Sequence, residues 1–485
     1  MNDEQRSLSL QSEINKDGTA RLSGLGIDAR EERKDMSRQN RTMKLLQLPL
    51  ELVQMIAEAL GNENDINALV QTCRHLHQSL NVFLYRYNVR NSESSGLVHA
   101  ANAGIETAVK RLLDEGADLH TWYLEPPLVL AAINGHLGVL KLLIDKGADL
   151  SAYDTPYHRT ALFWAVVYDN EEVTKFLLDK GADPDALDTD GCSPLFAAIE
   201  EGKIGMVKLL LENGAKKNII NENEETPLTI AVESGNEEIV RLLLEKDVDL
   251  EFINDPENTP LALAAEYGYL EIVNILLQKG ASTEVVNDNG LSPLSAATES
   301  GHVEIMELLL ENGADIEFRD SDGSTPLAIA VDSLQMGAAK LLLDKKADIE
   351  SRDFTGGSPL AVAAGNGKHE YTKLLLEYGA DIESRDLTGD TPLSLAARKG
   401  NLESATLLLD NGANIENLDE YGQTPLLVAT FFGYIDLVNF LLDRRASIDV
   451  KDKFGRTPLS LAISRGNREL RDILVEKGAI RDDGV

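Results

Sequence analysis

Three groups of residues combine types and spacings that chemistry could use. Cys73, His75 and His77 bring a thiol and two imidazoles close enough in sequence to share a zinc ion. A structural zinc site needs four converging ligands, and no second Cys/His pair lies at a suitable spacing, so the three read as side chains on helix faces. Asp188-Thr189-Asp190-Gly191 and Asn287-Asp288-Asn289-Gly290 imitate part of a calcium loop. Ala186 or Val285 stands where the first ligand belongs, however, and Ala197 or Ala296 where the closing bidentate glutamate belongs. Gly365-Asn366-Gly367-Lys368 lacks the leading glycine and trailing hydroxyl residue of a phosphate loop. No Ser/His/Asp or Cys/His set suited to nucleophilic catalysis stands out. The sequence therefore points away from an enzyme and offers no catalytic residue, cofactor-binding residue or metal ligand.

The elements that carry these residues recur. Proline falls at 194, 227, 260, 293, 326, 359, 392, 425 and 458, at a constant interval of 33 residues. The same frame runs backward through Ala161, Pro127 and Gly96 with small length changes, which makes about twelve units. A hydroxyl residue precedes each proline of the regular series (Ser193, Thr226, Thr259 and onward) and can cap a helix that the proline opens. Alanine follows four residues later (Ala198, Ala231, Ala264, Ala297), small enough for neighbouring helices to approach closely. A glycine eight residues after the proline, such as Gly202 or Gly235, ends this first helix. A leucine-rich second helix then stops at another glycine, such as Gly214 or Gly280. Asp or Asn six residues before each proline (Asp188, Asn221, Asp320) marks a turn. Two short antiparallel helices and a turn form each unit, and none can bury its apolar face alone.

With stretches such as Asp-Gly-Ser-Thr-Pro-Leu-Ala-Ile-Ala (322–330) and Leu-Leu-Leu-Glu-Asn-Gly-Ala-Asp (308–315), residues 96–485 resemble the ankyrin repeat. The resemblance implies an all-α solenoid with β-hairpin turns, a curved stack whose hairpin tips and first helices offer a concave face to protein partners. The unit at Pro326 lacks both glycines, with Leu334 and Lys346 in their places. A left-handed conformation costs a side-chain-bearing residue about 1–2 kcal/mol, so residues 326–358 are the softest joint expected in the array. Asp169, Asp247 and Arg445 are milder lapses of the same kind.

Residues 1–44 are polar, with interspersed charges and little apolar periodicity, and read as a disordered tail. From residue 45 to 90 apolar residues return at helical spacing: Pro49 opens a helix faced by Leu52, Ile56, Ala59 and Leu60, and Asp65 caps a second. Leu48-Pro49-Leu50-Glu51-Leu52, with Asp65-Ile66 and Cys73-Arg74 downstream, is similar to the F-box. That resemblance implies docking on the adaptor subunit of an SCF-type ubiquitin ligase through Leu48, Pro49, Glu51, Leu52 and Ile56. The tryptophan that usually follows Cys-Arg is replaced by His75-Leu76-His77. The alternative is structural: the helices cap the first repeat of a scaffold or inhibitor with no ubiquitin link.

Composition narrows the partner. The net charge is −35, and almost all of it, −34, lies in residues 96–485. Phosphate backbones are repelled by such a region, which speaks against nucleic acid. No apolar run reaches the length of a membrane span, the N-terminus lacks the layout of a secretory signal, and two cysteines make no disulfide framework. The chain reads as cytoplasmic or nuclear. Six residues after the proline stands an acid in five consecutive units (Glu200, Glu233, Glu266, Glu299, Asp332), a ladder that would favour a basic partner segment. Only 25 of the 485 residues are aromatic, yet eight lie between 122 and 176. Of these, Phe163 and Tyr168 stand where most units are polar or small, as do Phe431 and Phe432 near the other end, and exposed aromatics serve as interface anchors.

Overall fold

The computed structural model describes residues 14–15, 19–20, 95–120, 125–245, 248–252, 258–287 and 290–480. The F-box-like segment, and with it Leu48, Pro49, Glu51, Leu52 and Ile56, lies outside the described residues, as do Cys73, His75, His77 and Asp247. Within the stretch 1–44, two short strands, β1 (Ile14–Asn15) and β2 (Thr19–Ala20), pair antiparallel with Ile14 opposite Ala20.

The chain divides into two compact units, one ending at Ala215 and the other beginning at Lys216. In the first, the helix pairs are Ser95–Asn102 with Glu106–Asp114, Pro127–Ile133 with Leu137–Asp145, Ala161–Val167 with Glu171–Asp179, and Pro194–Glu200 with Ile204–Glu212. In the second, eight pairs follow in the same way, their first helices beginning at Pro227, Pro260, Pro293, Pro326, Pro359, Pro392, Pro425 and Pro458. Twenty-four helices thus form twelve pairs among the described residues, each helix at the position the repeat frame assigns. The hairpin turns are tight loops rather than strands; an isolated bridge joins Tyr153 to Thr160.

Helices of seven to nine residues are too short to persist alone, so packing must hold them. Within each unit first helices pack on the next first helix and second helices on the next second helix. The contact is possible because the alanine four residues after each proline is fully buried: Ala198, Ala231, Ala264, Ala297, Ala330, Ala363, Ala396, Ala429 and Ala462 all have zero exposure. A Leu from each second helix (Leu210, Leu243, Leu276, Leu309) closes the core beneath them.

The hydroxyl caps form as expected, with Thr259 Oγ1 accepting from Ala262 N at 3.2 Å, for example. Ser193 and Thr325 make no cap bond; Thr325 Oγ1 instead meets Ser351 Oγ at 2.9 Å. Leu334 and Lys346 do adopt the left-handed conformation, at φ 61° and 73°, so the joint keeps its geometry and carries the strain. Asp169 and Arg445 do the same at φ 58° and 71°.

Two sets of side chains bolt successive repeats together. At many joints the residue just before the second helix reaches back to a carbonyl near the end of the preceding repeat's first helix. His302 Nε2 lies 3.0 Å from Glu266 O, Gln335 Nε2 donates to Glu299 O at 3.0 Å, and Asn401 Nδ2 donates to Gly365 O at 2.7 Å. On the hairpin side, a carboxylate nine residues before the proline accepts from a backbone N–H of the next repeat. Glu251 takes Ser282, Glu284 takes Asp315, Glu317 takes Asp348, Glu350 takes Asp381, Glu383 takes Asn414, Glu416 takes Ser447 and Asp449 takes Ile480. Seven consecutive joints of the second unit carry this strut.

Candidate functional site

The calcium-like turns resolve first, because their oxygens are already used. Asp188 Oδ1 accepts from Asp190 N at 3.0 Å and Cys192 N at 2.9 Å, and Asp320, Asp353, Asp386, Asp419 and Asp452 repeat the arrangement. These are Asx turns that hold the hairpins. Among the described residues no group of three or more His, Cys, Asp or Glu could hold a metal ion.

What remains is surface, and its most ordered feature is the acidic position on the first helices. In the first unit Glu200 is exposed at the end of Pro194–Glu200. In the second unit Glu266, Glu299 and Asp332 are exposed and Glu233 is half-buried. Glu200, Glu233 and Asp332 are the last residues of their helices, and Glu266 and Glu299 the last but one. A carboxylate there faces the negative end of the helix dipole, an arrangement that costs about 0.3–1 kcal/mol each. Burial and the charge of Glu225 push the Glu233 carboxyl up, and burial with Glu233 and Glu266 nearby pushes the Tyr267 phenol up. Asp332 pairs with Lys368 Nζ at 2.5 Å. The helix dipole thus works against an acid at this position.

In the first unit the aromatic-rich stretch gathers around Arg159. Its guanidinium stands 5.1, 4.7 and 5.3 Å from the ring centres of Tyr157, Phe163 and Trp164, while Nε donates to Asp188 Oδ2 at 3.0 Å. Trp164 Nε1 donates to Asp154 Oδ2 at 2.9 Å, and Tyr168 stacks on Trp164 at 5.7 Å. Burial and the nearby Asp154 push the Glu125 carboxyl up. Tyr168 is exposed as expected, but Phe163 is not: it is 2% exposed and packs in the core beneath Arg159. The equivalent Phe196 is fully buried too, so this position of the first helix faces the core and the expected role of Phe163 as an exposed anchor is corrected. Tyr153 and Tyr157 are the exposed aromatics the position-by-position comparison missed, because they sit in the lengthened hairpin rather than on the helix.

Near the other end, Phe431 and Phe432 meet edge to face at 5.1 Å and Phe432 stacks on Tyr434 at 6.2 Å. Phe431 is half-buried, with the Arg465 guanidinium 3.7 Å from its ring centre, while Phe432 is exposed. One helix back, Arg398 Nη2 pairs with Asp390 Oδ2 at 2.6 Å and Asp419 Oδ2 at 3.6 Å. Both carboxylates are buried, and burial pushes Asp390 up although Arg398 opposes it. Nothing in the sequence frame marked this triad, since Arg398 read simply as a polar occupant of a variable position.

A family model of ankyrin repeats, described as three copies, matches residues 49–154, 97–188, 128–221, 195–287, 264–353, 351–419 and 414–484. No curated protein matches the chain. Among solved structures it is similar to the ankyrin repeat domain of Bcl-3, titled a unique member of the IkappaB protein family. The two are 30% identical over 45% of this chain and 99% of that one, with a TM-score of 0.42. No helix among the described residues is long and apolar enough to cross a membrane.

Proposed function

Because the chain belongs to the ankyrin-repeat family, we propose that it is a non-catalytic protein-binding scaffold whose first helices hold a partner through a basic segment. One observation carries this reading. Acids recur at the C-terminal ends of first helices, where they oppose the helix dipole. A cost repeated at the same position, in a place that faces solvent, is what a recognition surface for positive charge requires. Exposed Tyr168 and Phe432 supply apolar anchors, each in its own unit.

The finer reading is recruitment of that partner to an SCF-type ubiquitin ligase, with the adaptor subunit docked through Leu48, Pro49, Glu51, Leu52 and Ile56. It rests on the Leu-Pro-x-Glu-Leu opening. A second reading, a scaffold or inhibitor whose N-terminal helices merely cap the array, is favoured by the ankyrin match that already begins at residue 49. A pulldown of the SCF adaptor with the wild-type chain and with Pro49→Ala/Leu52→Ala separates them: retention by the wild type alone supports recruitment, and no retention by either leaves the capped scaffold. The recognition surface itself is tested by affinity capture on the full chain followed by elution with rising salt. A basic protein leaving at moderate salt is expected; retention of acidic proteins alone would refute the acidic ladder as the contact.

A further inference from the structure

The last four hairpins of the second unit end in apolar residues where turns are ordinarily polar. Phe354 and Leu387 are each 70% exposed, Phe454 66% and Tyr421 50%. The earlier tips at Glu222-Asn223 and Ser321-Asp322 are polar. Successive tips are hydrogen-bonded side by side: Phe354 N to Asp322 O, Leu387 N to Thr355 O, Glu420 N to Thr388 O and Lys453 N to Tyr421 O, at 3.0–3.3 Å. Phe354 and Leu387 lean on the bare backbone of Gly323 and Gly356 in the preceding tips. The apolar side chains therefore stand in a braced row, not on loose loops.

Beside that row runs a line of arginines. Arg319 Nη1 donates to Gly323 O at 2.7 Å and Arg352 O at 2.5 Å. Arg352 Nη1 donates to Gly356 O at 2.9 Å and also to Arg385 O, and Arg385 Nη1 to Gly389 O at 2.8 Å and Leu418 O at 2.7 Å. One nitrogen of each guanidinium fixes the side chain to two backbone carbonyls. Among the described residues no carboxylate forms an ion pair with Arg319 or Arg352, although the chain carries a net charge of −35. Glu317 and Glu350, whose carboxylates feel the charges of Arg319 and Arg352, each give one oxygen to the backbone N–H of Asp348 and Asp381. The remaining edge of the Arg319 and Arg352 forks has the geometry that carboxylates accept, and Arg385 Nη2 already donates to the amide oxygen of Asn417 at 3.3 Å.

We propose that this edge, formed by the hairpin tips rather than by the acids of the first helices, docks an acidic, extended protein segment with an apolar residue at every third position. The spacing selects the conformation. Packed helices stand about 8–10 Å apart, so the tips recur on the order of 10 Å. A polyproline II chain has three residues per turn and rises about 3.1 Å per residue, which returns a side chain to the same face after about 9 Å. In a β-strand every third side chain falls on the opposite face. Aromatic rings are the usual partners of such segments, and the fixed guanidiniums supply counter-charge to the acids between.

The test is the fluorescence anisotropy of a labelled synthetic peptide repeating Pro-Glu-Leu, titrated with the full-length chain at low salt. Saturable binding is expected, at least roughly tenfold weaker for Arg352→Glu/Arg385→Glu, where two charge-assisted contacts become repulsive. Because those arginines also brace the hairpins, Phe354→Ser/Phe454→Ser is measured in parallel. It leaves the brace intact and is expected to weaken binding to a similar degree with an unchanged melting curve. Glu266→Lys/Glu299→Lys, on the first helices, is expected to bind as the wild type does. Equal binding by wild type and both tip variants, or no saturable binding, overturns the proposal. So does preferential binding of the Pro-Lys-Leu peptide. Displacement by an oligouridylate overturns it in favour of single-stranded nucleic acid, and self-association abolished by the same variants overturns it in favour of a second copy of the chain.

Discussion

Replacing Leu334 and Lys346 by glycine should stabilise the repeat at Pro326, and the gain can be worked from the backbone. Both residues sit in the left-handed region, at φ 61° and 73°; glycine follows the seven other first helices of the second unit at the position of Leu334, and Gly280, Gly313, Gly379, Gly412 and Gly478 stand at the position of Lys346. The penalty for a side chain there is about 1–2 kcal/mol, against which glycine adds about 0.5–1 kcal/mol of unfolded-state entropy. Little packing is lost, because Leu334 is 61% exposed and Lys346 is exposed as well. The net gain is therefore about 0.5–1 kcal/mol per site. Hydrogen exchange followed by mass spectrometry reads the effect locally, since repeat arrays open unit by unit. In the wild type, amides of 326–358 should exchange faster than their equivalents in the repeats on either side. Leu334→Gly/Lys346→Gly should slow them about fivefold or more, the ratio that 1 kcal/mol implies. Exchange at 326–358 already as slow as in the neighbours, or unmoved by the double substitution, would refute the argument that strain is concentrated in this joint.

Other perturbations probe separate features. Glu317→Ala removes the strut to Asp348 N and should lower stability by about 1 kcal/mol, whereas Glu317→Gln keeps the accepting oxygen and should cost little, by urea denaturation. Arg398→Ala leaves Asp390 and Asp419 buried without their cation and should lower stability by about 3 kcal/mol, with Arg398→Lys recovering part of it. Burial holds the Glu233, Glu317, Glu350 and Asp390 carboxyls above their ordinary values, so each contributes stability that is present at low pH and lost as pH rises through its folded-state value. Asp452 is held below its ordinary value despite burial, by the N–H groups of Arg456 and Phe454 and the Arg456 side chain, and its contribution is lost only in more acidic solution. The melting temperature should therefore be higher at pH 5 than at pH 7.5, an effect that relief of self-repulsion reinforces and that a flat or opposite trend would contradict.

The twelve helix pairs were legible because each repeat uses the same few backbone-specific residues. Proline and its hydroxyl neighbour, alanine at the close approach and glycine at the left-handed turns leave a mark that survives variation elsewhere. Even the lapses at Leu334 and Lys346 could be read, since the geometry is imposed by the neighbours and the sequence merely fails to suit it. The surface was legible in part. Acids at a fixed position translate directly into exposed acids on first helices, but an aromatic in a variable position does not declare its rotamer. Phe163 turned inward beneath Arg159, while Tyr153 and Tyr157, outside the regular frame, stayed at the surface. The glutamate struts were visible only in retrospect, as the acid in Asp-Ile-Glu at 315–317, 348–350 and 381–383, because nothing in one repeat reveals a bond to the next.

Recognition of a basic partner by this chain requires that the acids of the first helices contact it. Partner capture by the wild-type chain should be compared with capture by Glu266→Lys/Glu299→Lys/Asp332→Lys, with circular dichroism confirming that both are folded. Loss of a basic protein from the variant is the predicted result. An identical set of captured proteins, at identical salt sensitivity, would mean that recognition occurs elsewhere on the molecule.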